Sequence, residues 1–251
     1  MGKRIVWILL SGMFFLQPIF SDGITDSYAF LKDIPLFIQF VDATRNSGDF
    51  QKANQLRTSL LALPDKTLDK YEQAALEIRL DTMLSRMSLD LSPKQPSFAK
   101  ELLQEALGKT PLLNKDSLFS YCAYADIYSI QYLIDSNLSK GIASAKEIGK
   151  AYKEYPNETT VLLLKANSLL YTPSFSKNSV KKALSMFLEL LNQTNILLAP
   201  WDQASLYSGL GIACYKLDDY ENAKGYLTAA KAMYGFDSTI DEYLQKLETH
   251  I

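Results

Sequence analysis

Histidine is almost absent from this chain of 251 residues: His250 stands alone, next to last. Chain ends are usually mobile, which makes it a poor general base. Without a second histidine, no Cys-His or Ser-His-Asp set can be assembled. The usual Cys/His zinc sites lack their ligands for the same reason. Neither G-x-x-x-x-G-K-[ST] nor G-x-G-x-x-G occurs, and the eleven glycines are scattered, so the two common phosphate-cradling loops are missing. Cysteine is limited to Cys122 and Cys214, both inside apolar helical patterns. A disulfide needs Cα atoms within about 7 Å, whereas stacked helices sit about 8–10 Å from each neighbour. Two buried free thiols are therefore expected. Basic charge is not in excess: 26 Lys and Arg face 28 Asp and Glu, a formal net charge of -2. That offers no field for nucleic acid. No convincing period-2 strand pattern is found. No catalytic set, metal site or cofactor is expected, and the chain does not read as an enzyme.

What is present is apolar material, 47% of the residues, enough for a sizeable core. The start reads MGKRIVWILLSGMFFLQPIFSDG: Lys3 and Arg4, then an apolar run of 16 residues from Ile5 to Phe20, then the small residues Ser21 and Gly23 around Asp22. This is the plan of a secretory signal peptide over residues 1–21, and the run is short for a membrane span of about 20 residues. An exported protein, periplasmic or extracellular and not integral to the membrane after cleavage, is the expectation. Residues 22–251 then form one domain. Its charge falls to -4, because the leader carries two basic residues and no acidic one.

From Tyr28 to Leu247, apolar residues recur at three- and four-residue spacing, the mark of helix after helix. The stretch SLYSGLGIACYKLDDYENAKGYLTAAKAMYG, Ser205 to Gly235, holds two such patterns around the polar turn Lys216-Leu217-Asp218-Asp219. Tyr207, Leu210 and Gly211, then Tyr220, Ala223, Leu227 and Ala230, stand at the offsets of W-x2-L-G and A-x3-F in a 34-residue helix-turn-helix. Cys214 replaces the following tyrosine, and Gly235 stands where proline is usual. This stretch resembles a tetratricopeptide repeat. Gly211 and Ala223 would be small because two helices cross there.

The second-helix offset recurs upstream. Ala99, Leu103 and Ala106 match it with Pro111 in place; Ser144, Ile148 and Ala151 match with Pro156; Ala183, Phe187 and Leu190 match without proline. Ala53 and Leu60 match weakly, because Arg57 takes the large position, although Gly48-Asp49-Phe50 makes a good turn before them. The small residues are spaced 46, 45, 39 and 40 residues apart. The resemblance covers most of residues 26–236. It implies an all-α fold: a right-handed superhelical stack of about five hairpins. The amphipathic tail STIDEYLQKLETHI, with Ile240, Tyr243, Leu244 and Leu247 as its stripe, would cap the open end. The spacing beyond 34 is expected in three extended turns, LDLSPKQPS, LIDSNLSKG and TPSFSKNS, projecting from one edge.

In such proteins the first helices of the hairpins line a groove for peptides. Carried over by register, the third unit would offer Phe119, Cys122, Asp126 and Ser129, and the fourth Thr160, Leu163, Asn167 and Tyr171. The fifth would offer Ser205, Ser208, Ile212, Tyr215 and Lys216. Only Asn167 and Lys216 suit a clamp for a terminal carboxylate, so that mode is not expected. The resemblance implies an exported scaffold that binds a protein partner in the cell envelope. A second reading follows from a fainter similarity to periplasmic repeat proteins associated with TRAP transporters: an oligomeric, ligand-binding transport accessory whose partner is a transporter component. A third, a helical carbohydrate-active enzyme, would need two converging carboxylates among Asp81, Asp126, Asp135, Glu147 and Glu189. Asp126 differs from the rest by lying in the apolar run SYCAYADIYSIQYL, where it lines a groove or closes a hydrogen-bond network.

Overall fold

The computed structural model describes residues 23–63, 68–171, 177–192 and 198–249. The expected leader at 1–21, most of the extended turn TPSFSKNS and His250 lie outside them. Among the described residues the structure is all-helical, with one isolated bridge between Thr25 and Glu158. Eleven α-helices follow in order: α1 Pro35–Arg45, α2 Phe50–Leu61, α3 Lys70–Asp90, α4 Pro96–Lys109, α5 Leu118–Asp135, α6 Leu138–Glu154, α7 Thr159–Tyr171, α8 Asn178–Asn192, α9 Pro200–Lys216, α10 Tyr220–Met233 and α11 Ser238–Glu248.

Their starts are written in short-range chemistry. Asp49, Asp69, Ser117, Asn137, Asp219 and Asp237 each accept a hydrogen bond from a first-turn amide, worth about 1 kcal/mol apiece. Asp69 and Glu72 close a reciprocal capping box. Proline opens α1, α4 and α9, where its missing amide leaves no bond unmade.

Consecutive helices pack as antiparallel pairs, α1 with α2 through to α9 with α10, and α11 lies on α9 and α10. Each second helix also meets the first helix of the next pair. First helices meet one another at α1–α3, α3–α5 and α7–α9. The second helices turn their small and large positions inward: Ala99, Leu103 and Ala106, Ala183, Phe187 and Leu190, and Ala223, Leu227 and Ala230 are buried. So are Ser144, Ile148 and Ala151. Pro111 falls in a short 3-10 turn after α4, Thr110–Leu112, and Pro156 in the turn after α6.

Closeness at the crossings is set by glycine. A Cβ on Gly211 would stand 2.5 Å from Leu227 Cγ, and one on Gly209 would stand 2.4 Å from the Phe187 ring. The second approach joins α8 to α9 and has no counterpart in the repeat pattern.

Two features differ from the sequence expectation. The third inter-helix turn is not extended: α5 runs to Asp135 and α6 begins at Leu138. Ser136 closes α5 in the left-handed conformation, φ 53°, and Asn137 caps α6. The extra length there resides in helices of 18 and 17 residues. Only the second turn, residues 91–95, remains a loop of the expected kind within the described residues.

The first pair also reaches the fifth. Phe37 of α1 meets Trp201 of α9 edge-on at 5.4 Å. Arg45 donates to the Trp201 carbonyl at 3.0 Å and to Ser205 Oγ at 3.3 Å. Phe236 donates its amide to the Arg45 carbonyl, and its ring sits 2.7 Å from where a Cβ on Gly48 would lie. Gly48 itself has φ 64°, a conformation suited to glycine.

Candidate binding face

The segment before α1 belongs to no hairpin. Residues 24–33 begin beside the start of α7, pass over α5 and α3 at Tyr28 and lead into α1. Thr25 pairs in parallel with Glu158: its amide donates to the Asn157 carbonyl at 3.0 Å, and its carbonyl accepts from the Thr159 amide at 2.9 Å and the Thr159 hydroxyl at 3.0 Å. The Glu158 carboxylate accepts from Thr25 Oγ1 at 2.9 Å, from the Ser27 amide at 3.1 Å and from Ser27 Oγ. Asp26 folds back onto the Tyr28 amide and pairs with Lys32 at 2.7 Å.

Tyr28 is the anchor of this strap. Its ring is buried, edge-on to Phe119 at 4.9 Å, with the Arg79 guanidinium 5.0 Å from its centroid. Ala75, Ile78 and Ala123 complete the wall, leaving a residual space of about 10 Å³, room for about one water. Burial drives the Tyr28 phenol well above its ordinary value, and the nearby Cys122, Asp126 and Glu158 push the same way. The phenol is therefore a neutral group here.

Beneath the ring lies a line of charge drawn from alternate helices. Arg79 of α3 donates to Asp126 of α5 at 3.1 Å. Burial works against the Arg79 charge, yet Asp126 foremost, with Asp202, outweighs it and holds the guanidinium above its ordinary range. Burial raises the Asp126 carboxyl, and Arg79 opposes the rise. Asp202 in the first turn of α9 is only 7% exposed, and burial pushes it up to about 6 against the attraction of Arg79 and Arg45.

The residues expected to line one groove divide into two groups. Phe119, Cys122 and Asp126 gather round Tyr28. Ser129 is exposed, and Ser205 accepts from Arg45. Thr160, Leu163 and Ile212 are buried instead. Asn167 turns back onto its own helix, donating to the Leu163 carbonyl at 3.0 Å. The second group lies toward α11. Lys216 donates to the Leu170 carbonyl at 2.8 Å, with its ammonium 5.0 Å from the centroid of the Tyr171 ring. Tyr215 meets Tyr243 of α11 edge-on at 5.1 Å, and Ser208 is half-buried. Burial lowers Lys216 and raises Tyr171, although the Tyr171 side remains open, at 52% exposure.

The five carboxylates weighed for hydrolysis do not converge on one cavity. Asp81 is fully buried between Arg57 Nε at 2.7 Å and Lys109 at 2.8 Å. Asp126 binds Arg79, Asp135 pairs with Lys100 at 3.0 Å, and Glu147 with Lys150 at 2.8 Å. Glu189 is exposed. Both cysteines are buried free thiols, and burial raises both, Cys214 to about 11. Among the described residues no group of three His, Cys, Asp or Glu is placed to hold a metal. No helix there is long and apolar enough to cross a membrane.

Sequence reasoning missed Tyr28, Arg45, Arg79, Glu158 and Asp202. Two of these had a signal: Arg79 interrupts the apolar pattern LEIRLD, and Tyr28 and Phe30 stand close together in SYAF ahead of the first hairpin's turn. Comparison with protein-family models, curated proteins and solved structures finds no match for this chain.

Proposed function

We propose that this chain is an exported scaffold of the tetratricopeptide type, a right-handed superhelical stack whose first helices receive an extended segment of a protein partner. One observation supports this reading above the others. The surface formed by α3, α5 and the start of α7 holds the backbone of residues 25–27 by hydrogen bonds and takes an aromatic side chain into a fitted hollow. Those are the two elements of strand-like peptide recognition: main-chain bonds for affinity and a side-chain hollow for selectivity. An aromatic anchor beside a cation is also how interfaces concentrate their binding energy.

The test is site-specific photo-crosslinking in the cell envelope. A crosslinker at Ser129, exposed on α5, should capture one protein species repeatedly; one at Lys182, exposed on α8, should not. Capture only from Lys182 would contradict the reading. Native mass spectrometry of the protein from its own envelope separates the transport-accessory alternative, which requires an oligomer that retains a small molecule.

A further inference from the structure

We propose that residues Thr25–Tyr28 are a built-in occupant of this site, and that the site accepts in trans an extended segment of the same chemistry. That segment carries two hydroxyl side chains two residues apart, followed at once by an aromatic ring. The inference rests on the reading of this face as a peptide-binding surface, and it adds the class of ligand and a means of control.

The five helix pairs are complete without the strap. What holds it is the kind of contact a separate peptide could make. Glu158 is the reader of the hydroxyls: it is 5% exposed and receives the Thr25 hydroxyl, the Ser27 hydroxyl and the Ser27 amide. A carboxylate accepts and cannot donate, so the site favours residues that bring hydrogens to it and disfavours acidic ones. Thr159 offers its amide and hydroxyl to the carbonyl of the residue at Thr25 and would offer them to any backbone there. Phe119 and Arg79 receive the ring by an edge contact and a cation–π contact; both prefer an aromatic to an aliphatic side chain. The strap continues through Leu31, fully buried, into α1, so it is tethered next to the site. A tethered occupant competes at high effective concentration. An external segment then binds with an affinity reduced by the fraction of molecules whose strap is released.

The experiment uses the full chain and a fluorescein-labelled peptide of residues 23–33, GITDSYAFLKD, read by anisotropy. Tyr28→Ala in the full chain loosens the internal occupant and leaves the site intact. It should bind the peptide at least tenfold more tightly than the unaltered chain does. Adding Glu158→Gln should remove most of that gain, and a peptide with Tyr28 replaced by Ala should bind at least tenfold more weakly. If Tyr28→Ala does not melt cooperatively, Thr25→Val with Ser27→Ala serves instead, with a gain of a few fold. Absence of saturable binding to either folded variant overturns the inference, as does equal binding to the variant and the unaltered chain. Peptide binding without any envelope partner in the crosslinking experiment would leave the strap standing and remove the scaffold reading.

Discussion

The seam between the first and second helix pairs and the interior of the fifth pair are held by opposite means. At the fifth, glycine and alanine let the helices meet closely: Gly211 against Leu227, and Gly209 against Phe187 of the preceding helix. At the seam, where α2 meets α3 and α4, charge fills the interior. Arg57 occupies the position that a large apolar residue takes in the later units. Asp81, fully buried, receives both Arg57 and Lys109, while Glu105 and Glu77 stand behind the two cations. A helical pair needs its interior filled and its polar groups answered; a hydrocarbon contact meets that need, and so does a closed ion network. The difference is in what each tolerates. The glycine crossing fails when anything is added, and the ion network fails when one member is taken away.

Breaking the network should give the largest effect. Asp81→Ala removes the buried carboxylate that Arg57 and Lys109 share, leaving each only its more exposed glutamate, and should lower unfolding stability by about 3 kcal/mol, measured by urea denaturation. Replacing the pair together, Arg57→Leu with Asp81→Leu, converts the first unit toward the later pattern. It should fall within about 1 kcal/mol of the unaltered protein or above it; a loss as large as that of Asp81→Ala would mean that the charges hold more than each other.

The glycine crossings come next. Gly209→Ala and Gly211→Leu should each cost about 1–3 kcal/mol by overpacking. Gly225 on α10 is the control, since a Cβ there meets nothing within 4 Å. Gly225→Ala should stabilise by up to about 1 kcal/mol through helix propensity. Opposite signs for the same chemical change on neighbouring helices would locate the close approach.

Asp202 gives a pH-dependent effect. Its carboxyl titrates near 6 in the folded chain, above the ordinary range near 4. The folded state therefore binds a proton that the unfolded state has released, and stability contributed by Asp202 falls as pH rises from about 4 to about 6, then levels. Asp202→Asn should leave stability at pH 4 little changed and raise it by about 3 kcal/mol at pH 8, in paired melting curves. A parallel offset at both pH values would contradict this.

The smallest effect is expected at Thr160, whose hydroxyl is buried without a hydrogen bond. Thr160→Val removes an unanswered polar group and should change stability by less than about 0.5 kcal/mol or raise it slightly.

This contrast also explains what could be read from the sequence. Ala223, Leu227 and Gly211 announce the last pair because steric complementarity fixes residue size at set offsets. Arg57 carries no such mark: its partner Asp81 lies 24 residues away, and no spacing rule links a buried cation to its carboxylate. The strap was hidden for the same reason. Thr25 meets Glu158 across 133 positions, and Arg45 meets Trp201 across 156. Composition showed helices, and local periodicity showed pairs. What covers the first helices depends on long-range closure, which periodicity does not encode. Of the expected groove positions, Phe119, Cys122 and Asp126 lie together around Tyr28. Thr160, Leu163 and Ile212 of the same expected groove are buried.

The most direct measurement is native-state hydrogen exchange of the full chain. Three amides depend on the strap: Thr25 and Ser27 on it, and Thr159 beneath it. A releasable occupant predicts that these three exchange together through a local opening, well before the amides of Leu80 in α3 and Leu210 in α9. Exchange of all five only with global unfolding would contradict the account, since the strap would then be as much a part of the core as the helices it covers.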